Sequence, residues 1–509
     1  MKLLLFLSNY LIVTIYCANI LVVSEIGSVS HTSMLKNIAK CLAEKGHNID
    51  MVSQFPLEKP LERYTDINIA NKSSLLTNKF TQNDVIALTT KTMMMSMVEK
   101  VGLPACKSAF ENPKLQKLKK TKKKYDLLIA ELCMSDCMLG WGWYFDVPTI
   151  LISSSYPLPS RVDGFGLPES TTYIPTFFAQ GFSTKMSIFD RFVNTWEYIK
   201  AKYIINSYNQ IIDEITRDFF GLEMPSLIDL AYNSSLLLLN THFSIHFARP
   251  LVPNVIEVAG LHIEEPQPLN QYYDNLLGND TKGVIYFSMG SLLAIESFSI
   301  DLLQDILDVF APLPYKVIWK AKQDGLPKNL NVSKNVYFEN WVPQLDLLCD
   351  SRVKLFISHG GMMSTQEAIY CAVPILGIPI CVDQFLNMEH VQDSGNGLMI
   401  KDLNKNDFMS SIKELLHDSK YSKSAKEVSE LFKDRPMSPK DTAIYWTEYV
   451  LRHRGAPKLQ SFAKQLAWYQ YYLLDLIAIV LCTLFTVILF LMLFIRRIFL
   501  SREIKLKHL

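Results

Sequence analysis

The stretch Val353-Lys-Leu-Phe-Ile-Ser-His-Gly-Gly-Met-Met-Ser-Thr-Gln-Glu-Ala368 carries the densest chemistry in the chain. An apolar run ends at Ser358 and His359, and Gly360-Gly361 then opens a tight turn into a helix. Glycines let the backbone approach a ligand closely, and the free amides of a helix N-terminus favour an anion. His359 can add a hydrogen bond to a phosphate, and Glu367, further into the helix, can accept from a ribose hydroxyl. One helix end is worth only about 0.3–1 kcal/mol at an exposed site, so holding a diphosphate takes several donors together. Taken alone, Gly-Gly is also an ordinary strand-to-helix turn. Its surroundings shift the balance. Trp341-Val-Pro-Gln344 offers an indole to stack on a base and an amide to read it. Asp383-Gln384 falls at another strand-to-helix junction, and Gly283-Val-Ile-Tyr-Phe-Ser-Met-Gly-Ser291 supplies a third small-residue turn.

These residues need parallel strands to bring them to one edge. Ile20–Ser24 reads as a buried strand, Leu35, Ile38, Ala39 and Leu42 as one helical face ending near Gly46, and Asn48–Ser53 as the next strand. That βαβ unit places a site at the strand C-terminal ends. A second series starts at Gly283, with strands expected at Gly283–Ser288, Lys316–Trp319, Val336–Phe338, Val353–Ser358 and Ile375–Ile378. Helices are expected at Ile300–Phe310, Ser364–Cys371, Gln384–Asp393 and Phe408–His417. The alternation supports two Rossmann-like halves facing a cleft, and the prolines of Ala248–Asn254 and Pro266–Pro268 read as a linker. Lys114–Lys124 reads as a solvated helix, and Ser153–Phe220 as helices and long loops around a ligand cavity.

In order, Trp341-x-Pro-Gln344, Ser358-His-Gly-Gly361, Glu367-Ala368 and Asp383-Gln384 resemble the signature of the UDP-glycosyltransferases. Gly360-Gly-Met-Met-Ser364 is similar to the Gly-Gly-Leu-Leu-Ser of the insect branch of the membrane-bound UDP-glucuronosyl/glucosyltransferases, and the resemblance covers nearly the whole chain. It implies an α/β GT-B fold, two Rossmann-like domains facing a cleft, plus a C-terminal transmembrane helix. The corresponding ranges are an acceptor-binding domain over 19–262 and a UDP-sugar-binding domain over 263–455. A juxtamembrane helical segment over 456–472, a span over 473–495 and a basic tail over 496–509 follow. The resemblance implies Trp341 and Gln344 at the uracil and Glu367 at the ribose. It puts Ser288, His359 and Ser364 at the diphosphate, with Gly361 in the turn, and Asp383 and Gln384 at the sugar hydroxyls. The chain departs from the pattern at Met363, where many relatives have Asn, and at Lys320, where vertebrate relatives often have Arg.

His31 matches the family's catalytic base, and its place just past a strand at a helix entrance lets an imidazole face the cleft. A neutral imidazole can take the proton of an acceptor hydroxyl, and a carboxylate must then orient it. Glu131, ending Asp126-Leu-Leu-Ile-Ala-Glu131, stands at the family's acidic position, and Asp136 resembles the acidic position of insect relatives. Of the two, Asp136 is preferred. Arg249 is a candidate contact for a donor carboxylate, in an Arg-Pro-x-x-Pro-Asn stretch shared by relatives of both donor types.

Composition removes other classes. Over 509 residues, 49% apolar and 20% charged residues exclude long disorder, and Lys+Arg 51 against Asp+Glu 50 leaves no basic excess for nucleic acid. Nine Cys make no disulfide scaffold and show no zinc-ligand spacing. Residues 1–18 read as a signal peptide. Leu476–Ile495 carries no charge, Trp468, Tyr469, Tyr471 and Tyr472 precede it as an interfacial belt, and Arg496, Arg497 and Arg502 follow it. That pattern predicts a single-pass type I protein with lumenal catalytic domains. Lys505 and Lys507 resemble a dilysine signal of the endoplasmic reticulum membrane. Asn71, Asn233, Asn279 and Asn331 begin glycosylation sequons.

The expected activity is an inverting transfer of glucose or glucuronic acid from UDP-glucose or UDP-glucuronate to hydroxyls of small lipophilic acceptors. No Asp-x-Asp occurs, so no metal cofactor is expected. Met93–Met97, Phe177, Phe178 and Phe182 are candidates for a forgiving apolar acceptor pocket. The main alternative is a catalytically silent, membrane-tethered binding protein for lipophilic ligands on the same fold; an epimerase or hydrolase is a second rival. A homo- or hetero-oligomer is compatible with the sequence.

Overall fold

The computed structural model describes residues 17–71, 75–84, 98–133, 135–156, 159–176, 182–278, 282–380 and 383–506. The first eight residues after 16 already enter a strand, because Ile20-Leu-Val-Val23 is apolar on both faces and can only be buried on both. Seven such strands form the first sheet: β1 (Asn19–Val23), β2 (Asn48–Ser53), β3 (Tyr64–Asn68), β4 (Leu127–Glu131), β5 (Thr149–Ser153), β6 (Leu236–Leu239) and β7 (Val255–Glu257). Their order is β3-β2-β1-β4-β5-β6-β7, with every neighbouring pair parallel. The second sheet holds β8 (Val284–Ser288), β9 (Lys316–Lys320), β10 (Val336–Glu339), β11 (Val353–Ser358), β12 (Ile375–Gly377) and β13 (Gly397–Met399). It runs β10-β9-β8-β11-β12-β13, again all parallel.

Strand order dictates where chemistry can sit. In each sheet the first strand in sequence lies inside, flanked by its successor on one side and a later strand on the other. The connections therefore leave in opposite directions, between β1 and β4 in the first sheet and between β8 and β11 in the second. Ligands of open parallel sheets bind in the crevice beyond the strand C-termini at such a reversal. His31 follows β1 and Glu131 ends β4; Ser288 ends β8 and His359 follows β11. Both sets of candidate residues thus occupy the reversal points.

The helices that serve these points are α1 (Val29–Glu44), α2 (Ile188–Phe220), α3 (Gln344–Leu348), α4 (Met362–Tyr370), α5 (Gln384–Asp393) and α6 (Pro439–Arg452). Helix α4 starts two residues before the expected Ser364, because Gly361 already takes the extended N-cap conformation. Helices do occur in 153–220, and its second half is one helix of 33 residues, α2. Ser187 and Asp190 close a reciprocal capping box at its start. Apolar residues on both of its faces hide the helical period from the sequence. The lysine-rich stretch is helical only over Pro113–Lys119 and continues as loop to β4.

Two domain expectations need correction. Ala248–Asn254 does not link the halves, since β7 follows it and pairs with β6; the chain crosses over between β7 and the helix at Gln271–Leu277. Nor does all of 263–455 pack with the second sheet. Helix α6 returns to the first half, where Ala443, Ile444 and Val450 join Met34, Leu35 and Ile38 of α1 in one buried core. Two disulfides that spacing alone did not reveal, Cys106–Cys137 and Cys349–Cys371, lie one in each half.

Residues 17–459 belong to one compact unit and Gln460–Leu509 to a second. In the second unit Trp468–Tyr471 is a short helix, and α7 (Leu474–Leu506) follows. Leu474–Leu500 of α7 contains an 18-residue stretch with a mean hydropathy of 3.1, long and apolar enough to cross a membrane.

Candidate active site

In-register neighbours assemble the first cluster. Val23 of β1 pairs with Ala130 of β4, so Glu131 lies level with Ser24 just as the chain turns toward α1. The turn is buried, and Ser24 Oγ lies 3.2 Å from Thr32 Oγ1, pinning the first turn of α1 to the strand end. His31, in that first turn, brings Nδ1 to 2.5 Å from Glu131 Oε1 and 3.1 Å from Ser154 Oγ. Cys133 Sγ stands 3.7 Å from the same nitrogen. Donation from Nδ1 to a carboxylate fixes the tautomer and leaves Nε2 as the basic nitrogen. Burial by itself would lower the His31 pKa, but the Glu131 carboxylate overrides it and holds the imidazole well above its usual 6.5. The neighbouring Cys133 thiol is pushed up to about 11 by burial, so it stays a neutral thiol beside the ring.

Asp136 is not the partner. Its carboxylate is buried against Arg161, whose Nη2 also donates to Asn209 Oδ1 at 2.8 Å. Arg161 takes Asp136 Oδ2, and the carboxylate oxygen that meets His31 Nδ1 belongs to Glu131. The preference for Asp136 is therefore replaced by Glu131. A third carboxyl, Glu25, is buried nearby and accepts from the Ser135 hydroxyl. Burial raises its pKa to about 7, with the Glu131 and Asp136 charges adding to the shift.

The second cluster repeats one device on two adjacent strands. Ser288 and Ser358 are register partners at the ends of β8 and β11. Gly290 N donates to Ser288 Oγ at 3.3 Å, and Gly360 N donates to Ser358 Oγ at 3.1 Å. Each buried hydroxyl thus folds the turn that follows its strand. His359 lies between the two turns. A Cβ on Gly290 would come 2.7 Å from its Nε2, and one on Gly361 would come 2.5 Å from the same atom. Burial, helped by the Lys320 charge, lowers the His359 pKa to about 4, so it is a neutral imidazole at physiological pH. Its Nδ1 is buried without a hydrogen-bond partner among the described residues, an orphaned atom that a phosphate oxygen would satisfy.

Gln344, at the start of α3, is held inward. Its amide nitrogen donates to Ser364 Oγ at 3.0 Å and to Glu367 Oε2 at 2.7 Å, while Tyr286 OH donates to its Oε1 at 3.0 Å. Gln344, Ser364 and Glu367 are therefore brought together, although Gln344 is turned toward Glu367 and Ser364. Burial raises the Glu367 carboxyl to about 7 against the hydrogen bond from Gln344 and the charge of Lys320. Trp341 is 58% exposed, with Lys320 Nζ 4.3 Å from the centre of its ring. Asp383 stands at the N-cap position of α5 without a side-chain capping bond, and its Oδ2 accepts from Asn387 Nδ2 at 3.1 Å; the same amide also donates to Gly360 O at 2.9 Å. Burial raises the Asp383 pKa, the Asn387 hydrogen bond opposes it, and so does the His31 charge acting from the other half. Gln384 Oε1 accepts from Ile380 N at 2.8 Å, fixing the turn before α5.

Arg249 stacks its guanidinium 3.5 Å from the centre of the Tyr156 ring. Asn71, Asn233 and Asn331 are exposed, whereas Asn279 lies outside the described residues. So do Met93–Met97, Phe177, Phe178, Lys507 and residues 1–16 of the expected signal peptide. Sequence reasoning missed Ser154 on His31 and Arg161 on Asp136. Ser154 was within reach of that reasoning, because it follows β5 directly, two residues beyond Ile152, the register partner of Glu131. Arg161 sits in a short helical turn with no pattern of its own.

A family profile described as UDP-glucoronosyl and UDP-glucosyl transferase matches residues 18–506. Among curated proteins, UDP-glucosyltransferase 2 of Dactylopius coccus is 36% identical over 487 residues, covering 94% of this chain and 93% of its own. UDP-glucuronosyltransferase 2B15 of Homo sapiens is 31% identical over 395 residues, covering 75% of this chain and 72% of its own. Among solved structures, a glycotransferase of kitacinnamycin superposes with a TM-score of 0.56 at 16% identity, covering 85% of this chain and 98% of its own. That last likeness bears on the fold alone.

Proposed function

The chain belongs to the UDP-glucoronosyl and UDP-glucosyl transferase family, and from that premise we propose how its own residues carry out the transfer. It is a UDP-glycosyltransferase of GT-B architecture, moving a sugar from a UDP-sugar to an acceptor. His31 Nε2 takes the proton of an acceptor hydroxyl while the oxygen attacks the anomeric carbon from the face opposite UDP. Glu131, bonded to Nδ1, stabilises the imidazolium that forms, and the glycosidic electron pair leaves with the diphosphate. The amides opening α4, the Gly290 turn and the orphaned His359 nitrogen stabilise the leaving charge without reorganising. Asp383 and Gln384 hold the sugar, Trp341 and Glu367 the nucleoside.

The observation that carries this reading is the 2.5 Å contact of His31 Nδ1 with Glu131 Oε1 at the reversal point of the first sheet, with the orphaned His359 Nδ1 at that of the second. The donor is UDP-glucose or UDP-glucuronate, the acceptors are small lipophilic hydroxyl compounds, and inversion follows from attack opposite UDP. No divalent cation is needed. Two disulfides, exposed sequon asparagines and one apolar helix support a lumenal, membrane-anchored enzyme of the endoplasmic reticulum. The test incubates membranes bearing wild type or His31→Ala with each UDP-sugar and a panel of phenols, with and without chelator. Inverted glycoside from wild type, undiminished by chelator and lost in the variant, is expected. Equal product from both proteins would remove His31 as base, and loss in chelator restored by manganese would remove the metal-free chemistry.

A further inference from the structure

Helix α2 is apolar on the wrong side as well as the right one. Its inner face, with Asn194, Tyr198, Ala201, Ile205, Tyr208 and Ile212, is buried. Asn194 fastens that face, its Nδ2 donating at 2.8 Å to both Thr171 O and Ile174 O. The outer face of the first half of the helix carries Ile188 (80% exposed), Phe189 (70%), Phe192 (68%), Trp196 (58%), Ile199 (54%) and Tyr203 (77%). At 3.6 residues per turn these six fall within an arc of about 100° and run for about 22 Å. Beyond Tyr203 the same face turns polar, through Asn206, Gln210 and Glu214. A continuous stripe of this kind is rare on a surface that meets only water.

We propose that this stripe lies in the headgroup boundary of a phospholipid bilayer, giving the enzyme a second membrane contact besides α7. Four of the six side chains are aromatic, and Arg191, Lys200 and Lys202 stand along the edges of the stripe, Lys200 paired with Glu197 and Lys202 with Asp163. Aromatic and aliphatic groups flanked by cations are the composition of helices that lie in an interface. The acidic neighbours are occupied, Asp190 in the cap and Glu197 with Lys200 at 3.0 Å. Only residues 460–473 separate the first compact unit from the apolar helix. Fully extended, that connector reaches about 50 Å, so an inserted α7 keeps lipid at high effective concentration for the stripe. A second copy of the chain has no such tether.

The test uses full-length protein, one copy per nanodisc, in phosphatidylcholine with or without brominated acyl chains. The Trp196 signal is the difference between wild type and Trp196→Phe, which retains UDP-sugar turnover. At least half of that signal is expected to be lost in brominated lipid. Tyr203→Trp in the Trp196→Phe background should be quenched likewise, and Gln210→Trp should not. A Trp196 signal untouched by bromine and quenched by aqueous iodide overturns the proposal. Shielding that appears only in discs holding two copies also overturns it, and assigns the stripe to a second chain.

Discussion

The imidazole at His31 has to be neutral to accept a proton, yet Glu131 holds its pKa well above 6.5. The active fraction therefore grows as pH rises through that raised value, and kcat is expected to climb past neutrality. Glu131→Gln removes the charge while keeping a side chain that can hydrogen-bond. Burial then dominates, so the limb of the pH–rate profile moves to lower pH while the maximal rate falls, because the imidazolium loses its counter-charge. A limb that stays in place would show that Glu131 does not set the pKa. Asp136→Asn is expected to behave differently, costing about 3–5 kcal/mol of stability by stranding Arg161 and leaving the limb unmoved. Glu25 supplies a separate signature. Its folded pKa is raised to about 7 from 4.5, so the stability this confers is complete below 4.5 and is lost as pH rises to 7. Glu25→Gln should match wild type in chemical denaturation at pH 4.5 and exceed it by about 3 kcal/mol at pH 8. Parallel stability curves would mean that Glu25 titrates normally.

At the level of elements, the device to challenge is the pair of strand-end turns around His359. Gly290 has φ +81° and its missing Cβ would sit against the imidazole, so Gly290→Ala strains the backbone and displaces the ring together. Gly361→Ala meets the same ring with ordinary backbone geometry. Both should raise the KM for UDP-sugar about tenfold or more, a loss of roughly 1.4 kcal/mol, with Gly290→Ala also less stable. Unchanged KM in both would remove His359 from the diphosphate site. This donor half was largely legible in the sequence. β11 and α5 fall where unbroken apolar runs and junction residues put them, and the glycines announce close approach. The acceptor half was legible to His31 and no further. Two acidic residues five apart could each orient it, and only the level at which β4 stops beside β1, with Arg161 arriving from elsewhere in the chain, separates them. The bounds of helix α2 stay hidden for the opposite reason, since a helix apolar on both faces has no period to read.

Across the whole molecule, the two sheets are held together by the helix that also serves the nucleotide. On α4, Ser364 and Glu367 point to Gln344, whereas Met363 and Gln366, each one residue earlier, point into the other half. Asn240 Nδ2 lies 3.4 Å from Met363 Sδ, a contact of this methionine with the first half. Gln366 is fully buried; its Nε2 donates to Asn240 O at 3.1 Å and its Oε1 accepts from Gly260 N at 2.9 Å. Both partners belong to loops after β6 and β7, so a single amide spans the two halves. Gln366→Leu keeps the volume and leaves a buried carbonyl and a buried amide unpaired, at about 1–3 kcal/mol each. A loss of about 2–6 kcal/mol in global stability is expected. Because α4 then loses its fixed position relative to the first half, turnover should fall even where UDP, assigned by the proposed function to the second half, still binds. The two readouts separate the causes. A destabilised protein with normal kcat at low temperature would make Gln366 a packing residue only. Lost kcat with unchanged UDP affinity would mean that the register between the halves, set by one side chain, places the acceptor hydroxyl on the anomeric carbon.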